Sequence, residues 1–203
     1  HDTDPADAGW QNDKGASLSP SQNEAADTFL QQAKDAEPHI TESMEKITGK
    51  LDDGELVGLD HRLKTEESLK EKLSSLLDTR QDLSVDEHLA RLQDSVRYTI
   101  QSEYSNYVSD VGQAINELVQ EGYECTKFKN TWEQDGYQGI NSFWRDPASG
   151  HTFEVQFHTP DSFDTKMATH ELYEEQRSPD ISDERWTELE AQQDEMFREI
   201  PRP

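Results

Sequence analysis

Apolar residues follow a helical period in two stretches of the middle of the chain. Four leucines share one helical face: Leu69, Leu73, Leu76 and Leu77. They predict an amphipathic helix that begins near Thr65. Residues 104–121 show the same periodicity and precede Gly122, a residue type that often ends helices. We therefore predict two amphipathic helices here.

Capping signals predict the other helices. The segments SPSQ at 19–22 and SVDE at 84–87 each place a serine three residues before a residue that can complete a capping box. The first of these helices is expected to run to about residue 50, with a bend or interruption at Pro38 because proline removes a helical hydrogen bond. Two more helices, at 162–176 and 183–199, close the chain.

Alternating and β-branched residues predict the strands. SVRYTIQ at 95–101 and YECTKFKN at 123–130 have strand character, and residues 135–160 form a hairpin with its turn at DPASG. The predicted order is α-α-β-α-β-β-β-α-α. This order indicates an α+β fold with a mainly antiparallel sheet flanked by helices.

The second strand of the hairpin, HTFEVQFHT, has two contrasting faces. One face is apolar, and the other carries Glu154, Gln156 and His158. An antiparallel sheet with one face in water explains this pattern without any function. A functional explanation needs support from other parts of the chain.

The same patterns divide the chain into four parts. Residues 1–18 are predicted to be a flexible N-terminal tail, and 19–55 an N-terminal helical extension. The core spans 56–177, and 178–203 holds the C-terminal helix. The helical extensions are expected to brace the sheet, or else to form a self-association surface.

Charge narrows the range of partners. The 203 residues carry 19 basic and 44 acidic side chains, a net charge of −25, and eleven of the basic residues lie between 61 and 170. Such a surface repels nucleic acid but leaves room for a small polyphosphate. No apolar run is long enough to span a membrane, and the one cysteine, Cys125, permits no internal disulfide. We expect a monomer without nucleic-acid or membrane partners.

Basic residues are concentrated in the segment RLKTEESLKEK. Arg62 and Lys64 stand two apart on a predicted strand, and Ser68 and Lys70 lie on the helix that follows. Cations beside a helix N-terminus suit a polyphosphate. The alternative is that these charges simply face the solvent.

Two carboxylates and one tyrosine add candidate chemistry. Asp94, at a strand entrance, and Glu154 would form a two-carboxylate Mg²⁺ site that takes its remaining ligands from substrate phosphates. Arg97 follows Asp94 at a spacing of three. Tyr137, after a glycine, is placed to stack on a base, or else to cover the core from a turn.

Together these motifs resemble a known family. The succession R-x-K-x-x-x-S, D…R, GYQGIN and EVQ with a following threonine is similar to the synthetase domain of the RelA/SpoT alarmone synthetases, over roughly 56–177. The resemblance implies a nucleotidyltransferase-like fold. It also implies transfer of pyrophosphate from ATP to the ribose 3′-hydroxyl of a purine nucleotide, with release of AMP.

The resemblance also implies roles for individual residues. Arg62 and Arg97 would sandwich the ATP adenine, while Lys64, Ser68 and Lys70 hold its phosphates. Asp94 and Glu154 would bind Mg²⁺, and Glu154 is a candidate base. The implied acceptor side consists of Tyr137, Asn141, Gln156, His158, Lys127 and Lys129.

Some positions depart from the family pattern. Asp94 and Arg97 stand closer together than the corresponding family pair, Asn141 replaces a histidine, and His158 replaces an arginine. The two replacements lie on the acceptor side, so both adenine and guanine nucleotides remain candidate acceptors. Three further residues share one face of the helix 162–176 and either contact the site or face the solvent: His170, Glu174 and Arg177.

Three functions are compatible with these observations. The first is a secreted enzyme with broad purine acceptors, an expectation that rests on the resemblance and on an N-terminus that looks processed. The second is an ATP-depleting toxin of the same fold. The third is a catalytically silent nucleotide-binding module, although binding alone does not require two carboxylates.

Overall fold

The structure is a computed structural model, and it describes residues 9–203. It contains six α-helices, and in five of them a serine or threonine side chain at the N-cap accepts a hydrogen bond from the backbone amide three residues later. Their bounds are α1 Pro20–Thr48, α2 Glu66–Thr79, α3 Val85–Ala90, α4 Tyr107–Gln120, α5 Pro160–Gln176 and α6 Asp183–Arg198. The predicted capping box of Ser19 and Gln22 is present.

Helix α1 continues without interruption through Pro38, so the predicted break is absent. The buried residues Ala33, Ala36, Ile40 and Met44 lie on both sides of the proline and pack into the main core. Burial of this continuous face offsets the hydrogen bond that proline removes.

Five of the seven strands form one sheet in the order β3-β4-β7-β6-β5. These strands are β3 Glu55–Val57, β4 Arg97–Gln101, β5 Glu124–Asn130, β6 Ile140–Arg145 and β7 Thr152–His158. Only the β4–β7 pair is parallel. The α+β fold with a mainly antiparallel sheet is therefore confirmed.

The segment around Arg62 and Lys64 differs from its prediction as a strand. Residues Leu59–His61 form a short 3-10 turn, and only Leu63 makes an isolated bridge, to Val96. On this side of the sheet the edge strand is β3, a few residues earlier in the chain. The backbone amide of Arg97 donates to the carbonyl of Arg62 over 2.8 Å, so this segment still lies beside β4.

The prediction of a flexible tail over residues 1–18 is corrected for the residues that the structure describes. Residues 1–8 lie outside the described part, and the rest of the segment has regular structure. Trp10–Gln11 (β1) and Ser17–Leu18 (β2) pair as a small antiparallel hairpin. The hairpin packs on α2, where the Ser17 amide donates to Ser74 Oγ over 3.1 Å. Burial of Trp10 and Leu18 beside the α2 leucines holds this segment in place.

The two faces of the sheet have different neighbours. Helices α1 and α4 pack on the apolar face, where Trp144, Tyr98, Phe153 and Phe157 are fully buried. Helix α5 follows β7 directly and contacts the polar face, which carries Glu154, Gln156 and His158. Within residues 9–203 no helix is long and apolar enough to cross a bilayer.

Candidate active site

The polar face of the sheet brings most of the candidate residues together. Strand β7 places Glu154 beside Arg97 of β4, and Gln156 beside Thr99 of β4 and Asn141 of β6. Lys129 of β5 pairs in turn with Asn141. We call the face formed by Arg97, Asn141, Glu154, Gln156 and His158 the polar floor.

The polar floor is buried rather than wet. Glu154 is 6% exposed, Gln156 5% and His158 0%. Tyr137 covers one end, and α5 covers the middle. Buried polar groups of this kind need partners, and each of the three makes a hydrogen bond.

A cluster of charged groups lies at one end of the polar floor. Lys64 Nζ and Lys72 Nζ lie 3.3 and 3.6 Å from Asp94 Oδ2. Burial raises the pKa of Asp94, but the two lysines outweigh it and lower this pKa overall. Burial also lowers the pKa of Lys64. We call Lys64, Lys72 and Asp94 the charged cluster.

The lysine of α2 that reaches Asp94 is Lys72, not Lys70. Lys70 is buried and donates to Asp27 and Glu66, each over 2.7 Å, which ties α2 to α1. Lys70 therefore lies in the contact between α1 and α2 and not in the charged cluster, contrary to its predicted place. The spacing could have indicated this, because Lys72 follows Ser68 by four residues and shares its helical face, whereas Lys70 does not. Ser68 is exposed near the helix start.

Arg62 has a carboxylate partner on α1. Its Nε donates to Glu37 Oε1 over 2.6 Å, and this bond raises the pKa of Arg62. Arg97, by contrast, makes no ion pair with any carboxylate in the described part of the chain. The two arginines belong to adjacent backbone segments, and their sandwiching of a base stays a prediction.

Glu154 lies between the charged cluster and the covered end of the polar floor. Its Oε1 accepts a hydrogen bond from Gln156 Nε2. Burial raises the pKa of Glu154, although the bond from Gln156 and the charge of Arg97 oppose this effect. A carboxylate with a raised pKa is a better proton acceptor than an ordinary one.

Tyr137 covers the other end of the polar floor. Its hydroxyl donates to Asn141 Oδ1 over 2.9 Å and lies 2.7 Å from His158 Nε2. The tyrosine ring meets the ring of Phe197 from α6 at a centroid distance of 5.9 Å. We call Tyr137, Asn141 and His158, with Phe197 above them, the tyrosine pocket.

His158 is a neutral hydrogen-bonding group at the base of this pocket. Burial lowers its pKa to about 3, and Lys166 adds to the effect. Its Nδ1 lies 2.8 Å from Ser162 Oγ of α5. Gly139 passes over the imidazole, where an added Cβ would meet His158 Cε1 at 2.7 Å. The close passage requires glycine at this position.

The remaining acceptor candidates lie on β5. Lys127 and Lys129 are exposed, and Lys127 Nζ lies 5.8 Å from the centroid of the Phe143 ring. Both lysines are therefore at the open edge of the polar floor, beyond Asn141. Their contact with phosphates stays a prediction.

Helix α5 contributes a residue that the sequence analysis missed. His170, Glu174 and Arg177 are all exposed, and Arg177 pairs with Glu174 at 3.7 Å on the surface. Lys166, one turn before His170, instead donates from Nζ to Gln156 Oε1 over 2.6 Å. Lys166 shares a helical face with Ser162, which contacts His158, but that contact is visible only in the folded structure, so the sequence held no signal that identifies Lys166.

Asp94 of the charged cluster and Glu154 of the polar floor are suitable ligands for a hard cation. Asp94 Oδ1 is buried and has no hydrogen-bond partner, although its other oxygen is paired. Asp94 is also close enough to Glu154 to raise the pKa of that residue. Within residues 9–203 no group of three or more possible metal ligands occurs. An ion here would therefore take further ligands from a substrate, as Mg²⁺ commonly does.

Comparisons with known proteins identify the fold. No family model and no curated protein matches the chain. Among solved structures, the small alarmone synthetase 1 of Bacillus subtilis bound to its product pppGpp is 17% identical, with a TM-score of 0.57 over 85% of this chain and 91% of that chain. A GTP pyrophosphokinase family protein of Streptococcus pneumoniae is 16% identical, with a TM-score of 0.56 over 89% of this chain and 88% of that chain.

A third similar structure is the type VI effector Tas1, solved in complex with its immunity protein. It is 16% identical, with a TM-score of 0.56 over 86% of this chain and 95% of that chain. The chain therefore has the fold of the small alarmone synthetases, as the sequence motifs predict.

Proposed function

We propose that the protein transfers the β,γ-pyrophosphate of ATP to the ribose 3′-hydroxyl of a purine nucleotide. AMP is released, and the products are of the (p)ppApp and (p)ppGpp type. The observation that carries this proposal is the position of Glu154, a buried carboxylate with a raised pKa between the charged cluster and the tyrosine pocket.

The charged cluster is the proposed donor side. Lys64 and Lys72 offer ammonium groups to the phosphates of ATP, and Arg97 offers a guanidinium group that no carboxylate occupies in the described residues. Arginine stacks well on planar rings, so Arg97 and Arg62 are proposed to hold the adenine. The likeness to a pyrophosphokinase fold supports this assignment.

The tyrosine pocket is the proposed acceptor side. Tyr137 presents an aromatic ring. Asn141 has an amide that can form hydrogen bonds with a purine, and His158, whose ring nitrogens meet Tyr137 and Ser162, holds the tyrosine in position. Neither residue carries charge at neutral pH, because the pKa of His158 is low. Neutral donors and acceptors suit a base edge, and both adenine and guanine nucleotides are proposed as acceptors.

The chemistry is an in-line displacement at the β-phosphorus. The acceptor 3′-oxygen forms a bond to this phosphorus, and the bond to the oxygen that stays on AMP breaks. Glu154 takes the hydroxyl proton and passes it to solvent. Such a displacement depends mainly on positioning and on neutralising phosphoryl charge, for which Arg97 and the two lysines of the charged cluster are the proposed cations.

Mg²⁺ is the proposed cofactor. Asp94 and Glu154 would hold it, and the free Oδ1 of Asp94 supports this choice. When bound, the ion would neutralise charge on the phosphate oxygens.

The proposal is tested by incubating the protein with ATP and Mg²⁺, with and without GTP, and separating the nucleotides by anion-exchange chromatography. We expect one AMP for each molecule of a new, more strongly retained nucleotide. Intact ATP in every mixture, with measurable ATP binding, would instead identify a silent nucleotide-binding module.

An exported effector that depletes ATP is a second candidate. The similarity to the type VI effector Tas1 over 95% of that chain favours it. Export is proposed for both candidates, because continuous transfer from ATP would drain the nucleotide pool of the producing cell. Expression in a host cell discriminates between them: an effector lowers total ATP and arrests growth, whereas an alarmone synthetase with guanine acceptors accumulates guanine products first.

A further inference from the structure

Lys166 is a cation above the polar floor without a carboxylate partner. Its Nζ donates to the neutral amide oxygen of Gln156 over 2.6 Å. No carboxylate lies within ion-pair distance of this nitrogen among residues 9–203. Within the same residues Lys127 and Lys129 also lack a carboxylate partner, but they are exposed to solvent, whereas Lys166 is partly buried.

Other lysines show what structural pairing looks like in this protein. Lys70 has two carboxylate partners, while Lys46 and Lys50 each donate to a glutamate of α4 or its C-terminal end, over 2.8 and 2.9 Å. Lys166 is far less exposed to solvent than Lys46, yet it has only an amide partner. A partly buried ammonium group without an anion is a place that an anionic ligand can fill.

The surroundings of Lys166 favour an anion. Burial lowers the pKa of Lys166 to about 8, and the nearby charge of Arg97 adds to this effect, while the carboxylate of Glu154, beyond ion-pair distance, opposes it. The two cations thus lie close together over the polar floor. A phosphate between them would relieve their repulsion and regain the charge-assisted hydrogen bonds that burial removes.

Lys166 lies between the proposed donor side and the proposed acceptor side. Its partner Gln156 is two residues from Glu154, next to the donor side, and two residues from His158, in the tyrosine pocket. An ammonium group has three N–H donors, and only one is used by Gln156. Two N–H groups remain for the oxygens of a group that passes from the donor side to the acceptor side.

We propose that Lys166 is a catalytic residue that binds the non-bridging oxygens of the pyrophosphoryl group during its transfer. This inference rests on the proposed function. Lys166 holds these oxygens while the 3′-oxygen bonds to the β-phosphorus and AMP departs, and it takes no proton. Charge stabilisation of this kind acts mainly on the transition state, so it affects kcat more than KM.

Binding of inorganic pyrophosphate tests the site without turnover. Calorimetry compares the wild-type protein with Lys166→Ala, Lys166→Arg and the control Lys46→Ala, which removes the same charge from the opposite layer. We expect pyrophosphate affinity to fall about tenfold or more in Lys166→Ala, a typical effect of losing a charge-assisted contact. Lys166→Arg and Lys46→Ala should stay close to wild type. Equal affinity in Lys166→Ala and wild type, or no binding to wild type, would overturn the proposal.

Lysine labelling of the unmodified protein covers the case of a variant that does not fold. Pyrophosphate or ATP should slow acylation of Lys166, measured by peptide mass spectrometry, and leave Lys46 unaffected. Unchanged labelling of Lys166 at saturating pyrophosphate would contradict the inference.

Kinetics separate this inference from the proposed function. If the wild-type protein transfers pyrophosphate, Lys166→Ala should lower kcat about a hundredfold, the scale of losing one stabilising group in a polar site, with a smaller change in the KM for ATP. An unchanged kcat removes Lys166 from the mechanism. A wild-type protein that binds pyrophosphate through Lys166 but transfers none contradicts the proposed function and leaves the anion site in place.

Discussion

Lys72 Nζ of α2 lies 3.6 Å from Asp94 Oδ2, whereas Lys70 on the same helix donates to Asp27 of α1 over 2.7 Å. Two lysines only two positions apart therefore have different roles. Lys72 contributes to the charged cluster, and Lys70 fixes α2 to α1.

Substitution of each lysine should separate these tasks. Lys72→Ala is expected to weaken ATP binding about tenfold, because a charge-assisted phosphate contact is lost, with little change in stability. Lys70→Ala should instead lower the free energy of unfolding by about 1 kcal/mol, since it removes a buried side chain that packs between α1 and α2 and its two ion pairs with the exposed Asp27 and Glu66. Calorimetric ATP titration and urea denaturation measure the two effects. A weaker ATP affinity in Lys70→Ala alone would reverse the assignment.

The ring of Tyr137 is expected to act on the acceptor. Tyr137→Ala should raise the KM for the acceptor by tenfold or so, while the KM for ATP changes little, because stacking on a base contributes about 1–3 kcal/mol. Tyr137→Phe keeps the ring and removes the hydroxyl that meets Asn141 and His158, so it serves as the matched control. A larger change in the KM for ATP would move Tyr137 to the donor side.

Phe197 should control access to the same pocket. Its ring packs against Tyr137, and its side chain is buried. Phe197→Ala is expected to change the KM for the acceptor and to leave ATP binding intact. Phe29→Ala, at a partly buried aromatic residue of α1, provides a comparison for general loss of packing. Equal effects of both substitutions on acceptor and ATP would assign Phe197 to stability alone.

His158 should make stability depend on pH. Its pKa is about 3 in the folded protein, below the ordinary value of 6.5, because it is buried. Below pH 6.5 the unfolded chain binds a proton that the folded protein excludes, so stability falls as the pH drops toward 3. The loss is roughly 2 kcal/mol between pH 6.5 and 5.

Urea denaturation at several pH values checks this dependence. His158→Gln removes the titrating group. It should reduce the slope of the unfolding free energy against pH by the equivalent of roughly one proton. His170→Gln, at an exposed position on α5, is the control and should keep the wild-type slope. The same slope in wild type and His158→Gln would show that the folded protein protonates His158 as readily as the unfolded chain does.

The sequence predicted the polar floor because strand alternation is a local property. Glu154, Gln156 and His158 must share a face wherever β7 pairs, and the helices followed from caps and apolar spacing. The choice between Lys70 and Lys72 was also available from helical spacing alone.

The sequence did not predict what covers the polar floor. Whether Lys166 or His170 of α5 reaches Gln156 depends on the direction in which the helix leaves β7. The Phe197 contact likewise depends on how α6 returns over α5, where Arg185 Nε donates to Glu175 over 2.8 Å. These contacts depend on the relative directions of different helices and strands, and local patterns do not encode those directions.

Glu154→Gln should abolish transfer while the fold stays intact. The substitution keeps the size of the side chain and removes its ability to accept a proton. In the wild type, the rate should fall with decreasing pH through an apparent pKa above that of an ordinary glutamate, because burial raises the pKa of Glu154. Circular dichroism checks the fold, and retained turnover in Glu154→Gln would remove this residue from the mechanism.

Phosphorus NMR of the product tests the central claim most directly. The nucleotide formed from ATP and GTP in the presence of Mg²⁺ should show a diphosphate whose inner phosphorus couples to the ribose 3′ proton of the acceptor, with AMP as the co-product. A spectrum with only inorganic phosphate or pyrophosphate beside unmodified acceptor would contradict pyrophosphate transfer to the 3′-hydroxyl.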